Sequence, residues 1–312
     1  MNTNPGRISI SPWLGLAFGV MAVSTASIFI RFAQEEAPSL VIAAYRLSIA
    51  TILISPLALI KYRREIRQLS AQELGMSFIS GIFLALHFAF WITSLEYTTV
   101  ASSAVFVSTI PLWVALLSPF TIKESVSRFV MWGMLIALMG GVIIGLSDAC
   151  QIQAFEWVCP PLTEFIGGTA IWGDMLAVIG AITAACYMLI GRRLRAKMSL
   201  VGYIFIVYGI ASVVLLLMVG VAGYHLFSFS ANTYLWMILL AIIPQLIGHS
   251  TINWALRYMS AAYVSIALLG EPVGSTILAY FLLSETPGEL KIFGAILILT
   301  GIYMASREKK DK

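Results

Sequence analysis

Residues 255–285 read ALRYMSAAYVSIALLGEPVGSTILAYFLLSE, and residues 95–124 read LEYTTVASSAVFVSTIPLWVALLSPFTIKE. Tyr97, Pro111 and Glu124, with Gly133 and Gly140 just beyond, are answered by Tyr258, Pro272, Glu285, Gly294 and Gly301, each 161 positions on. A constant offset across five landmarks is the mark of an internal repeat. Both copies are apolar at the length of a membrane helix.

Composition extends this reading to the whole chain. Of its 312 residues, 60% are hydrophobic and 11% charged, and the mean hydropathy is +0.92. A water-soluble chain so poor in charge would expose large apolar patches, so lipid is its natural solvent. A span takes roughly 20 mostly apolar residues. Ten such stretches are expected, at residues 11–32, 38–60, 75–95, 99–120, 128–147, 168–190, 200–223, 232–255, 261–283 and 289–306. They leave no soluble domain, and the net charge of +4 is not a nucleic-acid signal. The first stretch lacks a small-residue cleavage site and is expected to stay as a helix.

The basic residues give the threading. With the N-terminus inside, the inner segments hold Arg7; Lys61, Arg63, Arg64 and Arg67; Lys123 and Arg128; Arg192, Arg193, Arg195 and Lys197; Arg257; and Arg307, Lys309, Lys310 and Lys312. The outer segments hold only Arg31 and Lys291, and Arg46 lies within a span. Positive residues stay on the cytoplasmic side, so both termini are expected there. Five helices per half then make the halves inverted repeats, at 11–147 and 168–306, joined by an extracytoplasmic loop at 148–167. Two such halves are a common build of secondary transporters, with the substrate site between them. The loop carries Cys150 and Cys159, which outside the cytosol can form a disulfide or remain free. Cys186 reads as a small buried residue. No Cys/His spacing fits a zinc site, and neither metal nor cofactor is expected.

The two quoted stretches resemble the repeat signature of the drug/metabolite transporter superfamily, in its ten-helix EamA-type branch. The matching features are a Tyr at a helix end, a small-residue turn, a helix carrying Pro, a closing Glu, and Gly-rich helices at 133–145 and 294–301. The likeness runs from Trp13 to Ser306. It implies an all-α fold and transport. It leaves the substrate open, because the family holds exporters of amino acids, amines and drugs as well as metabolite permeases.

The residues carry physical reasons of their own. Pro111 and Pro272 remove a backbone donor and loosen the preceding turn. Freed carbonyls persist in a membrane only where they face protein or a wet cavity. The glycines let helix backbones approach closely, or serve as packing notches alone.

Polar groups within spans are costly and mark candidate sites. Glu271, directly before Pro272, reads as a partner for a substrate amine, a proton carrier or a structural carboxylate; its counterpart in the first half is Ile110. His87, Trp91 and Ser94 share a helix face, and His249, Asn253 and Arg257 form a second stripe. Both stripes read as walls of a substrate pathway or as inter-helix hydrogen bonding. Arg46 can pair with Glu271, bind a substrate carboxylate or snorkel to the headgroups. Tyr187 and Trp113 can supply aromatic walls. Glu124 and Glu285 read as caps of the following helices or tethers to them.

The expected function is a secondary transporter of the cytoplasmic membrane, moving amino acids, amines or drug-like solutes by alternating access, outward by family analogy. The expected substrate-binding residues are Glu271, His87, Trp91, His249, Asn253, Arg46 and Tyr187. The expected partners are a small-molecule substrate and the lipid bilayer, with no nucleic acid. A monomer is the simplest assembly, with a dimer as the other option. A phosphate-binding G-x-x-x-x-G-K-[ST] loop is absent from the sequence, and no nucleophile–base signature supports a membrane-embedded enzyme. A channel would call for a charge ring or a filter.

Overall fold

A computed structural model describes residues 11–98, 100–149, 151–153, 156–158, 169–283 and 286–307. The helices of the first half are α1 (Pro12–Val23), α2 (Ala26–Ala33), α3 (Ser39–Lys61), α4 (Arg63–Arg67), α5 (Ala71–Tyr97), α6 (Val100–Val107), α7 (Ile110–Thr121) and α8 (Arg128–Ala149). A two-stranded antiparallel ribbon follows, β1 (Gln151–Gln153) and β2 (Glu156–Val158), with Ile152 opposite Trp157. The second half holds α9 (Thr169–Arg195), α10 (Leu200–Val221), α11 (Ala231–Leu240), a π-helical segment (Ala241–His249), α12 (Ser250–Ala255), α13 (Ala261–Leu268), α14 (Glu271–Leu283) and α15 (Glu289–Ser306). Among the described residues, nine helical stretches are long and apolar enough to cross a membrane, and Arg128–Ile144 forms a shorter apolar one. Cys150, Cys159 and Glu285 lie outside the described residues.

Local chemistry starts these helices. The hydroxyls of Ser70, Ser199, Ser230 and Ser260 each accept the backbone N–H three residues on, capping α5, α10, α11 and α13. Glu73 completes a capping box at Ser70. The two signature prolines do more than loosen a turn. The chain breaks between α6 and α7 just before Ile110-Pro111, and between α13 and α14 just before Glu271-Pro272. Each Pro becomes the second residue of a new helix, where a missing N–H costs little.

The halves pack through contacts that exchange under the 161-residue shift. An added Cβ at Gly133 would lie 2.5 Å from the Gly301 carbonyl oxygen, and one at Gly140 would lie 2.5 Å from that of Gly294. Position 133 maps onto 294 and 140 onto 301, so the contact is self-complementary. Numbering rises along α8 as it falls along α15, so the two helices cross antiparallel with backbones in contact. The same holds for α3 and α10. Ser48 Oγ lies 2.6 Å from Ser212 Oγ, and the Thr51 methyl covers Gly209.

One register is unequal. Ser70 and Ser230 cap corresponding helices, yet they lie 160 positions apart, whereas Tyr97 and Tyr258 lie 161 apart. The second half therefore carries one extra residue, and the π-helical segment sits between the two markers. A wide i→i+5 turn is how a helix absorbs an insertion. Pro244, inside it, lacks the N–H that a regular ladder needs.

Candidate functional site

A cavity opens where the halves meet. Its walls include Arg46 of α3, His87 and Trp91 of α5, Ser108 between α6 and α7, His249 at the end of the π-helical segment, Ser265 of α13 and Glu271 of α14. It offers about 70 Å³ to the centres of water molecules. One water needs roughly 10–15 Å³ on that measure, so the cavity has room for several waters. Apolar side chains, among them Val23, Leu268 and Leu269, line the rest.

Both helix breaks reach this space, because Ile110, Pro111 and Glu271 all line it. Unpaired backbone in lipid must face protein or water, which is why the chain stops and restarts at the cavity. Glu271 is half-buried, and it makes neither a hydrogen bond nor an ion pair among the described residues.

Arg46 is 0% exposed. That excludes snorkelling, one of the sequence alternatives for this residue. Its Nε donates to Gln245 Oε1 at 2.7 Å, and its guanidinium lies 4.2 Å from the centre of the Phe88 ring. Nη1 and Nη2 have no partner among the described residues. The expected Arg46–Glu271 pair is not formed, although both residues face the same cavity.

His87 is fixed from behind. Its Nδ1–H donates to the Gly180 carbonyl at 2.9 Å, which sets the tautomer and leaves Nε2 as an acceptor. Its ring stacks on Trp91 at 5.9 Å with planes 7° apart. Gly180 permits this closeness, since a Cβ there would meet the Trp91 backbone nitrogen at 3.3 Å. His249 packs edge-to-face on Phe88.

Two of the seven candidates stand outside the cavity lining. Asn253 Nδ2 donates to the Tyr187 hydroxyl at 2.5 Å and to the His249 carbonyl at 2.8 Å. Both side chains are buried and bind α12 to α9. The stripe of His249, Asn253 and Arg257 divides accordingly, with Arg257 exposed. Ser94 bonds to Ser103 at 2.6 Å, and Trp113 Nε1 donates to Thr109 Oγ1 at 3.2 Å.

Gln245, Phe88, Ser108 and Ser265 complete the surroundings and were not singled out from the sequence. Pro244 was the available signal for Gln245, because a Pro within a span marks an irregular turn.

A helical bundle of two related halves, enclosing a cavity with charged and aromatic walls, defines a polytopic membrane protein with a central solute-sized site. The family comparison makes this specific. The model described as the EamA-like transporter family matches residues 11–146 and 171–307, and the chain belongs to that family. It is 23% identical over 300 residues to an uncharacterized transporter of Archaeoglobus fulgidus, covering 94% of this chain and 96% of the relative. It is 24% identical over 300 residues to the pseudopaline exporter CntI of Pseudomonas aeruginosa, covering 95% and 97%. A crystal structure with 17% sequence identity superposes with a TM-score of 0.75 over 95% of this chain and 96% of the other, and so shares its fold.

Proposed function

We propose that this transporter is a secondary carrier of small organic metabolites (amino acids, amines or drug-like solutes) acting by alternating access in the cytoplasmic membrane. Ten spans form two inverted five-helix repeats, 11–147 and 168–306, with both termini cytoplasmic. The halves rock about the cavity, which opens to each side in turn. One observation carries this reading: Arg46, His87, Trp91, His249 and Glu271, from four separate stretches of chain, line one cavity between the halves. The self-complementary, antiparallel packing of α8 and α15 supports the inverted arrangement. Likeness to a relative named as an exporter supports outward transport. Asn253 and Tyr187 act from behind the cavity, and the remaining candidates touch the solute. One chain contains the whole site, so the working unit is a monomer.

The test is solute counterflow into liposomes with Glu271→Gln. Exchange should be lost while expression and melting stay unchanged; normal exchange would make the acid structural. Cysteine labelling should find position 193 cytoplasmic and position 156 external, and the reverse would overturn the threading.

A further inference from the structure

We infer that Arg46 receives a carboxylate on the transported solute, held in position for it by Gln245, and that Glu271 takes the cationic end of the same molecule. This deepens the carrier reading and rests on it. The argument starts from two orphaned atoms. Arg46 is wholly buried, and its Nη1 and Nη2 have no partner. A guanidinium stays ionised in proteins, so a buried cation stands in the cavity wall with its two terminal nitrogens unused.

The rest of the group is secured. Nε is taken up by Gln245 Oε1, and the Phe88 ring packs against the guanidinium. These two contacts fix the fork while leaving its terminal nitrogens free. That is an arrangement suited to a carboxylate, which can accept two parallel N–H bonds from an arginine. The available internal counter-charge does not fill the role. Glu271 lines the same cavity without pairing to Arg46.

Charge accounting selects the solute. A site largely walled off from bulk water penalises unmatched charge, and Arg46 and Glu271 supply it with one basic and one acidic group. A lone anion would leave Glu271 unmatched, and a lone amine would leave Arg46 unmatched. A zwitterion with its carboxylate on Arg46 and its ammonium toward Glu271 satisfies both. Arg46 and Glu271 line one cavity, so a single small molecule can address both.

The experiment compares L-leucine, L-leucinamide and 3-methylbutylamine, which share one apolar body. Melting of the purified protein in detergent is followed at rising ligand concentration. Leucine should stabilise at concentrations at least about tenfold lower than the other two, the worth of a lost charge-assisted pair. Arg46→Lys keeps the charge but loses the fork, and Gln245→Leu keeps the fork but loses its anchor. Each should weaken leucine toward the leucinamide level while leaving leucinamide unchanged. A purely structural role for Arg46 would shift all three ligands alike. Equal stabilisation by leucine and leucinamide, no stabilisation by any of the three, or a uniform loss in both variants overturns the inference. Counterflow separates this from the carrier reading. If amines exchange but carboxylate-bearing solutes have no advantage, the carrier stands and the Arg46 assignment falls. If no solute of any class exchanges, the carrier reading falls.

Discussion

Phe88 and His249 stand 161 positions apart in the chain and touch, with ring centroids 5.4 Å apart and planes at 73°. Corresponding positions of a repeat meet only where the relation between the halves passes through them. This pair therefore marks the local axis, and it does so at the cavity, since His249 lines the wall and Phe88 carries Arg46. Both halves fill the spot with a flat ring. His249→Phe should accordingly fold with an unchanged melting temperature, because an aromatic contact replaces an aromatic contact. Counterflow should fall by at least about tenfold if the imidazole serves the solute, the scale of one lost buried hydrogen bond. Full transport by the variant would make His249 a packing residue.

The crossing of α8 and α15 gives a prediction with its own control. A Cβ on Gly140 would fall 2.5 Å from the Gly294 carbonyl oxygen, whereas one on Gly141 meets nothing within 4 Å. Gly140→Ala should destabilise by about 1–3 kcal/mol, the range for forcing atoms into a packed site. Gly141→Ala should be neutral or slightly stabilising. Thermal unfolding of the two variants in the same detergent reads the difference, and equal melting would mean that the crossing is looser than described.

Glu124 ties three elements. Its Oε1 accepts from Arg192 Nε at 2.6 Å, its Oε2 accepts the Ala261 backbone N–H at 3.4 Å, and Arg192 Nη1 also donates to the Leu256 carbonyl at 2.7 Å. The expected tether to the following helix is thus a tether to the other half. Both side chains are partly exposed, at 25% and 29%, so solvent limits the ion pair. A double-mutant cycle with Glu124→Gln and Arg192→Gln should give a coupling of about 0.5–1 kcal/mol. Each single variant should lose more than that, because each also gives up a backbone contact. A coupling near zero would assign the whole effect to those backbone contacts.

A second carboxylate ties the segment before α3 to the start of α11. The Glu36 carboxylate accepts the Ser230 N–H and the Thr233 hydroxyl, both at 2.8 Å. The backbone hydrogen bond from Ser230, followed by the Thr233 and Ser230 side chains, holds Glu36 below its ordinary value. A carboxylate with a depressed folded value contributes stability above the unfolded value, and that contribution is lost as pH falls through the folded one. Wild type should therefore melt above Glu36→Gln at neutral pH. The gap should close as the pH drops below the usual carboxylate range. A gap independent of pH would mean that shape, not charge, matters at this junction.

Much of the fold was legible because its signals are repetitive and physical. Tyr97 with Tyr258, Pro111 with Pro272, and the glycine pairs gave the duplication. Long apolar runs gave the spans. Five of the seven side chains singled out from the sequence line one cavity, because a polar group in hydrocarbon has few other places to go. The remaining placements have specific causes. Helical spacing groups Asn253 and Arg257 with His249, but Asn253 turns to the Tyr187 hydroxyl of α9 and Arg257 lies beyond the end of α12 at Ala255. For Arg46 the sequence leaves snorkelling, pairing with Glu271 and binding a substrate carboxylate open, because depth along a helix does not tell which face is turned inward. Gln245 went unnoticed because an amide carries no charge to draw attention in an apolar run.

The two copies differ in the charged residues they bring to the cavity. Had the copies stayed alike, each would offer the same chemistry to the centre, and a solute could settle either way round. Instead the residue 161 positions after Arg46 is Val207, and the one 161 positions before Glu271 is Ile110. In the proposed binding mode the positive and the negative pole come from different halves, which gives a bound zwitterion a single heading. On that proposal a molecule entering from one side of the bilayer meets the site head first and from the other side tail first, and loading from the two compartments should proceed at unequal rates.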